Sequence, residues 1–201
     1  MKKALLTLVT ILFLTGCSKD DENESNGLQL PQETQSGANT FGCFINGNLL
    51  LPRDGAGDIS GDNKGLSFLG GYPDGAYNEL DIRDLKSEHG ARMLIHIQNL
   101  QLIGVGTYII DESNGYSNID GLNHNYINCK LFDMATNSYK YYRSSTNSGV
   151  LKITRFDWAN GIISGTFTCQ VKNSTNINDV IEITQGRFDI NGYTLPNKIF
   201  L

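Results

Sequence analysis

Three histidines, His89, His96 and His124, are the side chains of this chain suited to moving protons near neutral pH. Ser87 and Glu88 stand directly before His89. A nucleophile, its base and an orienting acid are brought together from separate elements, however, and neighbours in sequence rarely form such a set. Neither a G-x-S-x-G elbow nor an H-E-x-x-H pair occurs. His96 alternates with apolar residues and so falls on the outward face of a strand, while His89 and His124 fall in loops. All three are expected to be solvated. Glycoside hydrolysis needs two carboxylates at a set distance in space, which spacing along a chain with 21 acidic residues does not select.

Cation binding is a second chemistry. Asp54-Gly-Ala-Gly-Asp58, with Asp62 and Asn63 close behind, gathers hard oxygen ligands in one glycine-loosened loop, as calcium would accept. The register is not that of an EF-hand. Asp111, Glu112, Ser113, Asn114 and Asp120 form a looser cluster. Turns are made of the same residue types, so calcium at Asp54, Asp58 and Asp62 competes with ordinary loop chemistry. Cys43, Cys129 and Cys169 are widely spaced without a C-x-x-C pair, which argues against zinc. Each falls in an apolar strand, as half of a single disulfide or as a small buried hydrophobe. Stacking is the third chemistry. Tyr139, Tyr141 and the single tryptophan, Trp158, are candidates for a platform under a sugar or peptide, with Lys140 and Arg143 interleaved. Tyr142 points to the opposite face from Tyr139 and Tyr141. Cross-strand aromatic pairing is the competing use of the same rings.

The remaining reactive residue, Cys17, is placed by what precedes it. Lys2 and Lys3 open the chain, and residues 4–14 are uncharged. Eleven residues fall short of the ~20 a helix needs to span ~30 Å of hydrocarbon and suit the apolar region of a signal peptide, which is removed. Leu14-Thr15-Gly16-Cys17 resembles the lipobox of bacterial lipoproteins. The resemblance implies cleavage before Cys17, transfer of diacylglycerol to its thiolate, and stable anchoring by several acyl chains on one residue. Ser18, Lys19, Asp20, Asp21 and Glu22 resemble the lipoprotein export signal of Bacteroidota, which implies passage across the outer membrane to the cell surface. Secretion with a chance cysteine is the plain alternative.

Stepwise removal of these segments shows where the charge lies. Without residues 1–16 the chain keeps 14 Lys and Arg against 21 Asp and Glu, a net charge of −7 instead of −5. Residues 18–40 carry Lys19 against five acids and only three apolar side chains, and are expected to form a flexible tether. Residues 41–201 hold 13 basic and 16 acidic groups. A net −3 offers no overall electrostatic footprint for nucleic acid, and 161 residues suit a single domain with a substantial core.

Those residues read as short strands. Residues 41–45 and 48–52 flank Asn46-Gly47, a type I′ hairpin signal. Further strands are expected over 66–69, 77–85, 91–98, 104–110, 126–132, 139–143, 150–156, 163–171, 180–184 and 187–190, with a bulge at Gln185-Gly186. Met93, Ile95 and Ile97 point inward with Arg92 and His96 outward. Ile127, Cys129 and Leu131 point inward with Asn128 and Lys130 outward. Ile163, Gly165, Phe167, Cys169 and Val171 form the clearest inward face. About ten short strands with regular turns predict an all-β antiparallel sandwich or barrel-like domain.

Residues 149–157 (GVLKITRFD), 163–167 (ISGTF) and 183–189 (ITQGRFD), with 40–47 (TFGCFING) as a domain start, resemble a family of uncharacterised Bacteroidota lipoproteins. The resemblance implies a compartment and a domain rather than a reaction. The resulting expectation is an outer-membrane, surface-exposed lipoprotein that binds an outer-membrane protein or an extracellular polymer without catalysis or resident cofactor. A surface glycan or peptide hydrolase and a structural envelope protein are the alternatives.

Overall fold

The chain enters its sheet through a two-residue turn. Strand β1 (Thr40–Ile45) pairs with β2 (Asn48–Leu50) across Asn46 and Gly47, whose φ angles of 45° and 78° are the two positive values a type I′ turn requires. The computed structural model describes residues 28–56, 63–70 and 77–201. Eight further strands follow: β3 (Leu66–Gly70), β4 (Tyr77–Arg83), β5 (Arg92–Gln98), β6 (Gly106–Ile110), β7 (Tyr126–Asp133), β8 (Ser138–Asp157), β9 (Ile162–Asn173) and β10 (Val180–Asn191). They form one antiparallel sheet in the order β2-β1-β10-β9-β8-β7-β5-β4-β3. β6 runs beside β8 further along than β7 does.

Two elements differ from the expectation. The serine-rich stretch 144–149 does not separate two strands. β8 is continuous over 20 residues, and register shifts at Ser144/Gly149 and Ile153/Arg155 bend it as its neighbour changes from β7 to β6. Ser144 is buried and accepts a hydrogen bond from Ile127 N, and Ser148 Oγ lies 3.5 Å from Cys169 Sγ, so residues that resemble a loop belong here to a bent strand. Residues 100–105 also do not run straight into β6. Leu100–Ile103 makes one helical turn (α1), ended by Gly104 at φ 68°. The bulge at Gln185-Gly186 is present between Ile183 and Gly186, with Gln185 at φ 51°.

The inward faces anticipated from alternation all meet in one core, where Met93, Ile95, Ile97, Ile127, Cys129, Ile163, Phe167, Cys169 and Val171 are buried together. Cys43, Cys129 and Cys169 are free. Burial pushes the Cys43 thiol up to about 12 and that of Cys169 to about 11, so they act as small hydrophobes. At the sheet's two ends the chain closes on itself. Arg53, just past β2, makes a parallel bridge to Asp84, just past β4, and donates hydrogen bonds to the Asp84 carboxylate.

Two irregular segments form a partial second layer outside the sheet. Residues 31–38 lie along β10, and residues 111–125 lie over β4, β5 and β7. The first begins the ordered domain earlier than residue 41. The carboxylate of Asp189 on β10 accepts hydrogen bonds from Thr34 Oγ1 and from the backbone N–H groups of Ser36, Gly37 and Ala38 at 2.7–3.0 Å, besides one from Ser164 Oγ. The leader 1–16, Cys17 and the export-signal residues 18–22 lie outside the described residues, as do Asp58 and Asp62.

Candidate functional site

The polar outer face of β4, β5 and β7 is the first place to look for chemistry. Period-two alternation points Glu79, His96 and Tyr126 outward in directly opposed positions. Solvation was the expectation for His96, and the structure corrects it: the ring is 0 % exposed. Segment 111–125 covers it, which local alternation cannot foresee. His96 Nδ1 lies 2.7 Å from Glu79 Oε1, its Nε2 lies 3.0 Å from the Gln98 amide, and Tyr77 and Tyr126 stack on its two faces. Glu79 Oε1 also accepts the backbone N–H of Asn118. Burial, and then the Glu79 charge, pushes the Tyr126 phenol upward, which keeps it a donor to Tyr116 O. Both ring nitrogens of His96 are committed to protein groups, so the pair is a polar cross-link that seats the covering loop. His89 stacks on Phe132, and His124 bonds to Glu112 O.

Of the three candidate calcium ligands, the described residues include Asp54 alone. Asp54 accepts the N–H groups of Gly65 and Phe200 and lies 3.9 Å from Lys64 Nζ. It ties the C-terminus and the start of β3 to the segment after β2. The cluster 111–120 is turn chemistry: Asp111 accepts Asn147 N, Ser113 accepts Gly115 N, and Asn114 bonds to Tyr116 N and Asp120 O.

The platform residues are not brought together. Tyr139 and Tyr141 lie at the start of β8 and Trp158 just past its end. Tyr139 is partly used inside the sheet: its ring meets the directly opposed Phe132 edge-on at 5.2 Å, and Lys130 Nζ lies 4.2 Å from its centroid. Tyr141 is 52 % exposed and Trp158 63 % exposed.

Each exposed ring instead edges its own concavity. Trp158 and Tyr193 flank the first, a cleft of about 240 Å³ at the open end of the curled sheet, with Phe68, Phe156 and Asn78 among its walls. Asn78 is on the core-facing side of β4, 2 % exposed, and among the described residues its Oδ1 has no hydrogen-bond partner. Such an atom is rare in a folded interior and calls for a donor. Tyr141 edges the second, a groove of about 160 Å³ on the outer face of β5, β7 and β8, shared with Arg92, Asn128, Lys130 and Arg143. Sequence reasoning missed Phe68, Asn78 and Tyr193 because their strands and turns meet only on closure of the sheet. It placed Arg92, Asn128 and Lys130 outward but had no register to join them. Neither a protein-family model, nor a curated protein, nor a solved structure matches the chain.

Proposed function

We propose that the chain is an outer-membrane lipoprotein, held at the cell surface through Cys17, whose β-domain binds an extracellular polymer or a partner protein without catalysing a reaction. The anchor half of the reading rests on the lipobox-like residues Leu14-Thr15-Gly16-Cys17 and the acidic run behind them. The binding half rests on one observation: Asn78 Oδ1, buried and without a hydrogen-bond partner among the described residues, lines a cleft shared with the exposed rings of Trp158 and Tyr193. A ligand that lays a C–H face on Trp158 and Tyr193 and offers one hydroxyl or N–H to Asn78 satisfies all three. A sugar ring has that chemistry.

Trp158 is the only tryptophan, so its emission reports the cleft directly. Titration of the full chain with neutral oligosaccharides is expected to shift that emission saturably. Tyr193→Ala is expected to weaken binding by about 2 kcal/mol, roughly thirtyfold, with little change in the unfolding midpoint, since the ring is exposed. No saturable change with any neutral glycan would remove the sugar reading, and release of shorter products during the titration would make the protein a hydrolase. Acyl labelling of the wild type but not of Cys17→Ala, with protease sensitivity on intact cells, checks the anchor.

A further inference from the structure

The outer-face groove is separate from the cleft and carries different chemistry. Two rows of side chains cross it from strand to strand. Arg83, Arg92, Lys130 and Tyr141 form one, and Asp81, Leu94, Asn128, Arg143 and Lys172 form the other, each in directly opposed positions. Like charges directly opposite in a sheet destabilise it, and here Arg92 faces Lys130 and Arg143 faces Lys172. Nothing in the composition forces this, because residues 41–201 carry more acid than base.

Among the described residues, one carboxylate meets Arg92. Asp81 is buried and accepts Arg92 Nε at 2.8 Å and Arg92 Nη2 at 2.9 Å, and Arg83 Nη2 at 2.6 Å as well. Among the described residues Lys130 has an aromatic face and no carboxylate partner, and Arg143 has no side-chain hydrogen bond or ion pair. The Arg143 guanidinium is nevertheless held. Gly115 in the covering loop, at φ 82°, approaches so closely that a Cβ there would lie 2.7 Å from the guanidinium carbon. Asn128, between Leu94 and Arg143 in its row, has a buried Nδ2 with no acceptor among the described residues. A buried orphan donor is rare in a folded protein and calls for an acceptor. The groove therefore holds two uncompensated cations and an unused amide donor around one small space.

We infer that this groove, lined by Arg92, Asn128, Lys130 and Arg143, binds a single oxyanion: a carboxylate, sulfate or phosphate group. Its volume of about 160 Å³ is below the range of whole-ligand pockets, which suits one charged group with the rest of the ligand outside, against Tyr141. The fork of Arg143 matches a planar or tetrahedral oxyanion through two parallel N–H bonds. Asn128 supplies a further donor, and Lys130 closes the charge balance.

The test is calorimetric titration of the full chain with sodium sulfate, sodium phosphate and sodium glucuronate, with glucose as the neutral arm. Sodium chloride holds the ionic strength fixed, so that screening cannot mimic specificity. Saturable binding of at least one oxyanion, and none of glucose at this site, is expected. The tightest of the three identifies the group as sulfate, phosphate or carboxylate. Arg143→Gln and Asn128→Asp are each expected to weaken it at least tenfold, while Lys152→Gln, an exposed cation outside the groove, leaves it unchanged. Two variants of different kind, each checked for an unaltered unfolding midpoint, keep a folding defect from passing as a lost site. Absence of saturable heat with all three salts overturns the inference, and so does an equal loss in Lys152→Gln. Glycan binding at Trp158 is read by fluorescence and stands or falls independently.

Discussion

Asp189 shows how much one buried carboxylate can organise. It sits outward on β10 between the core residues Phe188 and Ile190, and it is buried because segment 31–38 lies over it. Burial alone would raise its pKa. Hydrogen bonds from Thr34, Ala38, Ser164 and Gly37 outweigh that and hold it down to about 2. A carboxylate with a folded pKa below its unfolded value of roughly 3.9 adds stability that is fully present above the unfolded value. That stability is lost as pH falls through the folded one. The window here runs from about pH 4 down to about pH 2, and the linked stabilisation is on the order of 2 kcal/mol. Asp189→Asn keeps the shape but removes the charge and turns one acceptor into a donor facing N–H groups. It is expected to lower stability by about 2–3 kcal/mol at pH 7, to expose residues 34–38 to protease, and to flatten the acid limb of the stability curve. Denaturant melts of both proteins at pH 7, 4 and 2.5 check this. A difference that stays constant with pH would mean that the charge of Asp189 is not what fastens the segment.

At the scale of elements, β8, β9 and β10 are the longest strands of the sheet, and two reciprocal pairs explain the motifs found there. Gly165 on β9 lies opposite Phe188 on β10, and Gly186 on β10 lies opposite Phe167 on β9. A Cβ on Gly165 would lie 2.8 Å from the Phe188 ring and 2.6 Å from Lys152 O, and one on Gly186 would lie 2.5 Å from the Phe167 ring. Each glycine leaves its neighbour's ring room to lie across the strand. Gly165→Ala is expected to cost about 1–3 kcal/mol, because Lys152 O is backbone and cannot step aside. Urea unfolding measures it, and an unchanged midpoint would show that the strands can separate locally. These strands were legible because alternation is a local property and each has one side in the core. The site was legible only in pieces. Arg92, Asn128 and Lys130 could be placed outward from their own strands, but the groove exists through the pairing of β5 with β7 and β7 with β8, which alternation does not encode. His96 was misjudged for the related reason that segment 111–125, distant in sequence, covers its face. β8 was divided because bulges put polar residues where a straight strand would alternate.

Across the whole molecule the open question for any curled sheet is how its two edges are kept from pairing with other chains. β2 has three residues and β3 five, both short, and the joint between the two ends is made by side chains more than by a ladder. Arg53 carries it. Its backbone N–H bonds to Arg83 O, and its carbonyl accepts Leu85 N. Its guanidinium reaches both Asp84 and Ser87. Burial would raise the pKa of Asp84, but hydrogen bonds from Arg53 and Ser87 bring it below the usual carboxylate range. Removing Arg53 therefore leaves a partly buried carboxylate without its cation, a costlier change than losing a surface pair. Arg53→Ala is expected to destabilise the protein by about 2–3 kcal/mol. The loss has a direction as well as a size. β3 and β4 meet the rest of the sheet through β5 on one side and through this joint on the other, so they should open first. Hydrogen exchange is expected to accelerate at residues 66–70 and 78–83 while β9 and β10 keep their protection. Phe68 and Asn78 belong to those strands, so the same variant should also loosen the cleft at Trp158 and release Arg92 from Asp81, while Asn128, Lys130 and Arg143 on β7 and β8 stay in place. Uniform acceleration across all ten strands would mean that the sheet opens as one unit and that the joint is no more than a surface ion pair.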